Sequence, residues 1–482
     1  MLAGAALVIG AAMAAHFAWA GLTLSHYDAK GHLVVARRII DSLTPGWMQI
    51  GAVWLPLPHL IQLLPTQIDL FYRTGMFAVG FNVLAFAATV WLTARLVMSA
   101  TPSGTAAVAA AGVLLLNPNV LYLQSTPMTE PLLMLLMMAA VWWTRRAVLS
   151  GAPADRNRAG LAIGAACLTR YEAWPVTASL LGLSLLARLG RRERWRPAVR
   201  DTLRLAAYPA GAVVAFLLLS RATVGEWFVK SGFFVPENTA MHRPWSAAVS
   251  VWWGVHEVSS YPLLLLGAAG VVALVVVVAR DLRRAADLLP LALVGAGALP
   301  WYAFFEGHPF RIRYMVVLIP LVAIGVGYGV GLVGRRARVL AAAVAAAALL
   351  LAPWPTDTRA PMVAEAQWDY DHRMGRAQVT AYLRAHWDGQ PVMASMGSLA
   401  HFMQELSGAG FDLRDFLHEG NGDIWLAALD YPDPHVEWLL LEEQAEGGDM
   451  LAVLARQRPA FLSGYARVAE GGGVALYRRR PR

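Results

Sequence analysis

Residues 2–24 read LAGAALVIGAAMAAHFAWAGLTL, and Ser25-His26-Tyr27-Asp28-Ala29-Lys30-Gly31-His32 follows at once. A helix crossing a bilayer needs ~20 predominantly apolar residues, and this run supplies them without one carboxylate, Lys or Arg. Asp28 therefore stands just past the end of a first span, at the water edge of the membrane.

Working outward, further apolar runs lie near 76–98, 104–122, 128–144, 202–220, 261–279, 287–304, 315–333 and 338–355. Arg-rich connectors occur at Arg145–Arg158, Arg188–Arg204, Arg280–Arg284 and Arg335–Arg338. The positive-inside bias places all four in the cytoplasm. Residues 159–188 then have cytoplasmic flanks on both sides, and they hold Arg170, Tyr171, Glu172 and Pro175 at their middle. Two short helices, out and back, satisfy both facts. The expected fold class is an α-helical polytopic membrane protein of about eleven spans, with a small C-terminal α/β extracytoplasmic domain. The expected location is the plasma (inner) membrane, multi-pass, with the N-terminus cytoplasmic. A cleaved signal peptide ending at Ala18-Trp19-Ala20 is the alternative for the first segment; it lacks a basic leader and has an overlong apolar run.

Composition agrees. The 482 residues are 57% hydrophobic and 15% charged, with mean hydropathy +0.48, whereas soluble domains carry ~25% charged residues. A single soluble enzyme is excluded. One cysteine, Cys167, supports neither an intrachain disulfide nor a Cys-rich zinc site. Residues 1–355 carry 28 Lys+Arg against 14 Asp+Glu, while residues 356–482 carry 12 against 18. The expected domains are thus a basic membrane part, 1–355, with an outer loop at 25–75, and an acidic tail, 356–482. No basic patch is interleaved with exposed aromatics, so nucleic acid is not an expected partner.

Polar chemistry gathers in the outer loops. In 33–43, Leu33, Ala36, Ile39, Ile40 and Leu43 oppose Arg37, Arg38 and Asp41, a spacing that suits a helix lying in the membrane interface. Asp28 is placed to cap that helix, which also holds a carboxylate rigidly. Glu130 opens an apolar helix, as a first-turn acid facing the dipole or as a functional group. Arg170 and Glu172 form an internal ion pair or a functional one; buried charge in a membrane favours function. Lys30 and Lys230 are the chain's two lysines, and where Arg fills other basic positions a Lys hints at a point-charge role. Loop 221–260, with Glu226, Lys230, Glu237, His242, Arg243, His256 and Glu257 among four tryptophans, suits a gate or an interfacial anchor. Arg311 and Arg313, in Glu306-Gly307-His308-Pro309-Phe310-Arg311-Ile312-Arg313-Tyr314, run against the positive-inside bias and suit an anionic group.

The tail has soluble patterning: strands at 391–396 and 437–442, helices at 398–407 and 449–457, and a hairpin of 461–468 with 473–479 around Gly471-Gly472-Gly473. Asp412 to Asp423, with Asp415, His418 and Glu419, is a solvated loop or a metal or sugar site. Neither a phosphate-binding Gly fingerprint nor a nucleophile elbow is present.

Over roughly 1–355 the chain resembles the GT-C superfamily: membrane glycosyltransferases using polyprenyl-phosphate-linked sugars, within it the protein O-mannosyltransferase and aminoarabinose-transferase-like group. Asp28 matches the acid that opens the first outer loop; Leu55-Pro56-Leu57-Pro58-His59 loosely matches its His/Pro motif; Glu130 takes the place of the second acid. Arg311-Ile312-Arg313-Tyr314 resembles the phosphate-binding part. Two departures leave subfamily, acceptor and metal use open: Ala29 follows Asp28 where a second acid is common, and the Pro motif is altered. The resemblance implies displacement at the anomeric carbon, with Asp28 as general base and a cationic site for the leaving phosphate. That site draws on Arg311, Arg313 and Lys230, with Arg170 behind them, and Lys30, His59, Glu172, His308 and Tyr314 are further donor-binding candidates. Glu130 orients the acceptor or shares a divalent cation, Mg²⁺ or Mn²⁺, with Asp28. Implied partners are the polyprenyl-phosphate sugar donor, an acceptor glycan, lipid or protein, and the bilayer. Two other readings stay open: a secondary transporter, favoured by the broken hairpin at Arg170, and a non-enzymatic envelope scaffold.

Overall fold

The computed structural model describes residues 1–229, 238–445 and 448–481. The first apolar run is one helix, Leu2–Trp19, released by Gly21 at φ 73°, where a side chain would be strained. Among the described residues eight helices are long and apolar enough to cross a membrane: Leu2–Trp19, Met76–Ala100, Glu130–Ser150, Ala173–Gly190, Trp195–Val224, Tyr261–Arg280, Leu282–Phe305 and Arg313–Gly331. The other runs expected to span are shorter helices, Gly104–Leu115, Pro153–Cys167 and Arg335–Leu350. The run 104–122 is broken because Asn117 accepts from the backbone N–H groups of Asn119 and Val120, and Pro118 starts a new helix, Pro118–Leu123. At 159–188 the expected two-helix reading holds: Pro153–Cys167 and Ala173–Gly190 are joined by a turn that carries Arg170.

By packing, the chain forms two compact units. One comprises Met1–Ala20, Val79–Leu218 and the described residues of Pro236–Glu365. Apolar helices gain nothing by hiding from lipid, so small residues must let their backbones approach. Helix Tyr261–Arg280 crosses Ile319–Gly331 in that way. A Cβ on Gly270 would collide with the Gly325 carbonyl oxygen, and one on Gly325 with the Gly267 carbonyl oxygen.

The other unit joins Gly21–Ala78, a short stretch from Leu219, and Ala366 onward. Its sheet has strands β1 (Val392–Ala394), β2 (Phe416–Leu417), β3 (Trp438–Glu442), β4 (Tyr465–Gly471) and β5 (Val474–Arg479). Their order is β2-β1-β3-β5-β4. β1 pairs parallel with β2 and β3, and β5 antiparallel with β3 and β4. The helices Met396–Leu406 and Met450–Gln457 complete the α/β domain, close to the expected boundaries. Edge strand β2 lies inside the polar segment 412–423, which sequence patterning reads as a solvated loop or a metal or sugar site. That segment is ordered by internal bonds: Asp412 and Asp415 form a reciprocal capping box, and Glu419 accepts from the Met396 N–H at the start of Met396–Leu406.

The loop 25–75 packs with this tail. Its helix is Tyr27–Arg37, earlier than the expected 33–43. Leu33 and its neighbour Val34 are buried among Val379, Leu383, Phe402 and Trp438, so the first part of the apolar stripe expected to face the membrane interface lies in a protein core. Ile40 and Leu43 lie beyond the helix and are exposed. Arg37 joins the layers: Nε donates to Asp41 at 2.8 Å, Nη1 to Asp69 at 2.7 Å and Nη2 to Asp412 at 3.3 Å, with the guanidinium 4.5 Å from the centre of the Tyr72 ring.

Candidate active site

In the helical unit, the turn before Glu130 is fixed by Asn82, whose Nδ2 donates to the carbonyls of Thr126 and Met128 at 2.8 Å each. Glu130 then opens helix Glu130–Ser150 with Pro131 beside it. On the facing hairpin, Trp174 Nε1 donates to the Cys167 carbonyl at 3.0 Å and closes the turn that presents Arg170.

Arg170 bridges two carboxylates. Nη1 lies 2.9 Å from Glu130 Oε1, and Nη2 donates to Glu172 Oε1 at 2.7 Å. Nη1 also meets the Thr129 hydroxyl at 3.1 Å. Glu130 is 0% exposed and Glu172 1%. A charge taken out of water must be paired, and one guanidinium here serves two acids.

Tyr314 connects this triad to the segment before helix Ile319–Gly331. Its ring lies 5.9 Å from the Arg170 guanidinium and 5.3 Å from that of Arg313, within range of cation–π attraction. Its hydroxyl is 3.4 Å from His308 Nε2, and His308 Nδ1 is 2.8 Å from the Pro309 carbonyl oxygen. Glu365 Oε2 accepts from the Ile312 N–H at 2.6 Å, and Asn238 Nδ2 donates to the carbonyl of His308. The helical unit therefore brings together Glu130, Arg170, Glu172, His308, Arg313 and Tyr314. Arg313 is buried; Arg311 is half-buried. Thr129, Asn238 and Glu365 belong to the same network and carried no motif of their own. Glu365 falls within the stretch that sequence patterning assigned to the tail.

Asp28, Lys30 and His59 lie in the other unit. Asp28 is 6% exposed and sits in the first turn of Tyr27–Arg37. His26, rather than Asp28, caps this helix: its Nδ1 accepts from the Asp28 N–H at 3.1 Å. The helix begins one turn before the apolar stripe, which moves Asp28 inside it, where the dipole favours a carboxylate.

Lys30 is 2% exposed and paired with Glu405. Arg376 binds the same carboxylate, with Nε to Oε2 at 3.1 Å, and holds Asp369 through Nη1 at 2.9 Å. Burial lowers the Lys30 pKa more than Glu405 raises it. Glu405 is raised by burial, but Lys30 and Arg376 outweigh that and hold it below the usual carboxylate range. The point charge expected of Lys30 is thus spent inside a buried ion network. His59 Nε2 is 3.1 Å from His32 Nδ1, both buried beside Trp54. Burial, then the nearby Arg38, pushes the His59 pKa down to about 3, so it is neutral. Lys230, another expected phosphate ligand, lies outside the described residues, as does Glu237.

Among the described residues no group of three or more His, Cys, Asp or Glu side chains is arranged to hold a metal ion. Glu130 and Glu172 have a cation between them already, the Arg170 guanidinium.

No protein-family model matches the chain, and no curated protein matches it. Among solved structures, ArnT from Cupriavidus metallidurans bound to undecaprenyl phosphate is similar at TM-score 0.57 and 14% identity, over 98% of this chain and 99% of its own. The apo form of the same protein gives TM-score 0.58 at 13% identity with the same coverage. The likeness is one of fold and runs the length of both chains. This chain has the ArnT-like fold, mostly helical, with eight helices among the described residues long and apolar enough to cross a membrane and a small C-terminal α/β domain.

Proposed function

We propose that this chain is a membrane glycosyltransferase that moves a sugar from a polyprenyl-phosphate-linked donor to an acceptor hydroxyl. The observation that carries the reading is the full-length likeness to ArnT from Cupriavidus metallidurans, one solved structure of which is bound to undecaprenyl phosphate. The buried triad of Glu130, Arg170 and Glu172 supports it, since charge kept in an apolar helical unit is costly without a task.

In this reading the Asp28 carboxylate accepts the proton of the acceptor hydroxyl as its oxygen attacks the anomeric carbon. The bond from that carbon to the phosphate oxygen breaks, and the polyprenyl phosphate leaves with the bonding pair. Arg313 and Arg311 stabilise the charge that develops there. Arg170 has two acids on it and acts as a positioning residue, keeping the Glu130 carboxylate in place to orient the acceptor. The chemistry is assigned to the extracytoplasmic side, with the N-terminus cytoplasmic and the protein in the plasma membrane, because the Arg-rich connectors between spans argue for that orientation.

Purified protein in lipid, given polyprenyl-phosphate mannose, glucose or arabinose and a cell-envelope extract, tests the reading. Release of polyprenyl phosphate from one donor is expected, with the donor KM raised by R313Q. A folded protein that consumes none of them overturns it and favours the transporter reading, for which the broken hairpin at Arg170 is the motivating feature.

A further inference from the structure

Helix Trp195–Val224 has 30 residues, or about 45 Å at 1.5 Å per residue, against a hydrocarbon core of ~30 Å. About ten residues must therefore project into the headgroup layer. Composition shows which ten: Arg196, Arg200, Asp201 and Arg204 fall in the first ten positions, and the next charged residue is Arg221.

Those positions make two parallel ridges. Trp195, Val199, Leu203 and Ala207 recur at spacing four, and Arg196, Arg200 and Arg204 recur beside them, so each set lines one strip of the helix. The two strips line one shallow groove. Trp195 is 61% and Leu203 64% exposed, and all three arginines are exposed. The carboxylate at hand, Asp201, is shared by Arg156 at 3.6 Å, Arg188 at 3.6 Å, Arg200 at 4.0 Å and Arg204 at 3.4 Å. Arg196 has no ion-pair partner among the described residues. From Arg188 to Arg204 the chain carries seven Arg and two acids, a charge excess the protein does not neutralise itself.

We propose that this face binds the phosphate of an anionic phospholipid of the surrounding bilayer. The basic ridge takes the headgroup through forked guanidinium hydrogen bonds, and the apolar ridge lies along the acyl chain. Trp195 sits at the interface, where indole rings gather. The site goes beyond the glycosyl-transfer reading and does not depend on it.

The test uses the full chain in detergent, titrated with phosphatidylglycerol or phosphatidylcholine and followed by thermal stability and by native mass spectrometry of retained lipid. Inorganic phosphate alone is the control. Wild type should retain phosphatidylglycerol in preference to phosphatidylcholine. R196Q should weaken that preference about fivefold, the contribution of one surface Arg, and R196Q/R200Q/R204Q should abolish it. W195A should weaken retention of both lipids. R196Q leaves the Asp201 cluster untouched, so it decides the matter even if the triple variant fails to fold. Equal retention of the two lipids by wild type, or an unchanged preference in R196Q, overturns the proposal. So does inorganic phosphate stabilising the protein as well as phosphatidylglycerol, which would mark a plain anion site.

Discussion

Arg170 answers to Glu130 and Glu172 at once, and this decides what its loss would do. R170A leaves two buried carboxylates with no counter-charge, and breaking such a set costs about 3–5 kcal/mol. Thermal unfolding in detergent should show that loss, while E130Q, which keeps the Arg170–Glu172 pair, should fold with a smaller one. Tyr314 differs: Y314F removes a 3.4 Å contact with His308 and keeps the ring within cation–π range of both guanidiniums. Its stability cost should stay within about 1 kcal/mol, and under the proposed function a rise in donor KM with little change in kcat is the expected reading. Much of this site was legible: Glu130, Arg170, Arg313 and Tyr314 stood out as charge and aromatic groups at the ends of apolar runs. Glu365 was not, because its bond to the Ile312 N–H spans 53 residues and no local pattern marks it. The pairing of Lys30 is illegible for a similar reason, since its partner Glu405 lies 375 positions away.

Among the elements, helix Tyr27–Arg37 shows where amphipathic patterning stops being informative. An apolar stripe at helical spacing records burial, and it does not distinguish a lipid surface from a protein core. Leu33 and Val34 met Phe402 and Trp438 instead of lipid. The strands of the tail were readable because alternating or continuous apolar runs sat between turn residues; β2, with two residues, is too short to have a period. The crossing of Tyr261–Arg280 with Ile319–Gly331 needs close backbone approach at Gly270. G270A should separate or distort the two helices and destabilise by roughly 1–3 kcal/mol, as overpacking does. The same change at Gly80, where a Cβ meets nothing within 4 Å, should be nearly silent. Melting temperatures of the two variants provide the check.

At the scale of the molecule, His59, His401 and His418 of the α/β unit are buried and neutral. Burial, helped by Arg38, lowers His59 and His418 to about 3. Burial and Arg376 lower His401 to about 4, against the pull of Asp369 and Glu405. The unfolded chain binds these protons near pH ~6.5, the folded one only near their lowered values. Their contribution is thus complete above ~6.5 and is lost as pH falls toward 4, at about 1.4 kcal/mol per pH unit for each group. Asp369 and Glu405, held below the usual carboxylate range by Arg376 and Lys30, add a further loss at lower pH. Unfolding of this unit should therefore become easier from about pH 6 downward, and H418N should flatten that slope. Charge division along the chain separates a basic, apolar stretch, 1–355, from an acidic one, 356–482. It did not foretell that residues 21–78 pack with the latter, since chain order alone groups them with the spans.

Glycosyl transfer with Asp28 as the base is decided by one side-by-side assay. Wild type and D28N, matched for melting temperature, are given the donor that wild type consumes, and release of polyprenyl phosphate is followed over time. Wild type should release polyprenyl phosphate and D28N should do so at a rate lower by about 10²–10⁴, the usual worth of a general base, with donor binding retained. Equal rates in the two proteins would contradict it.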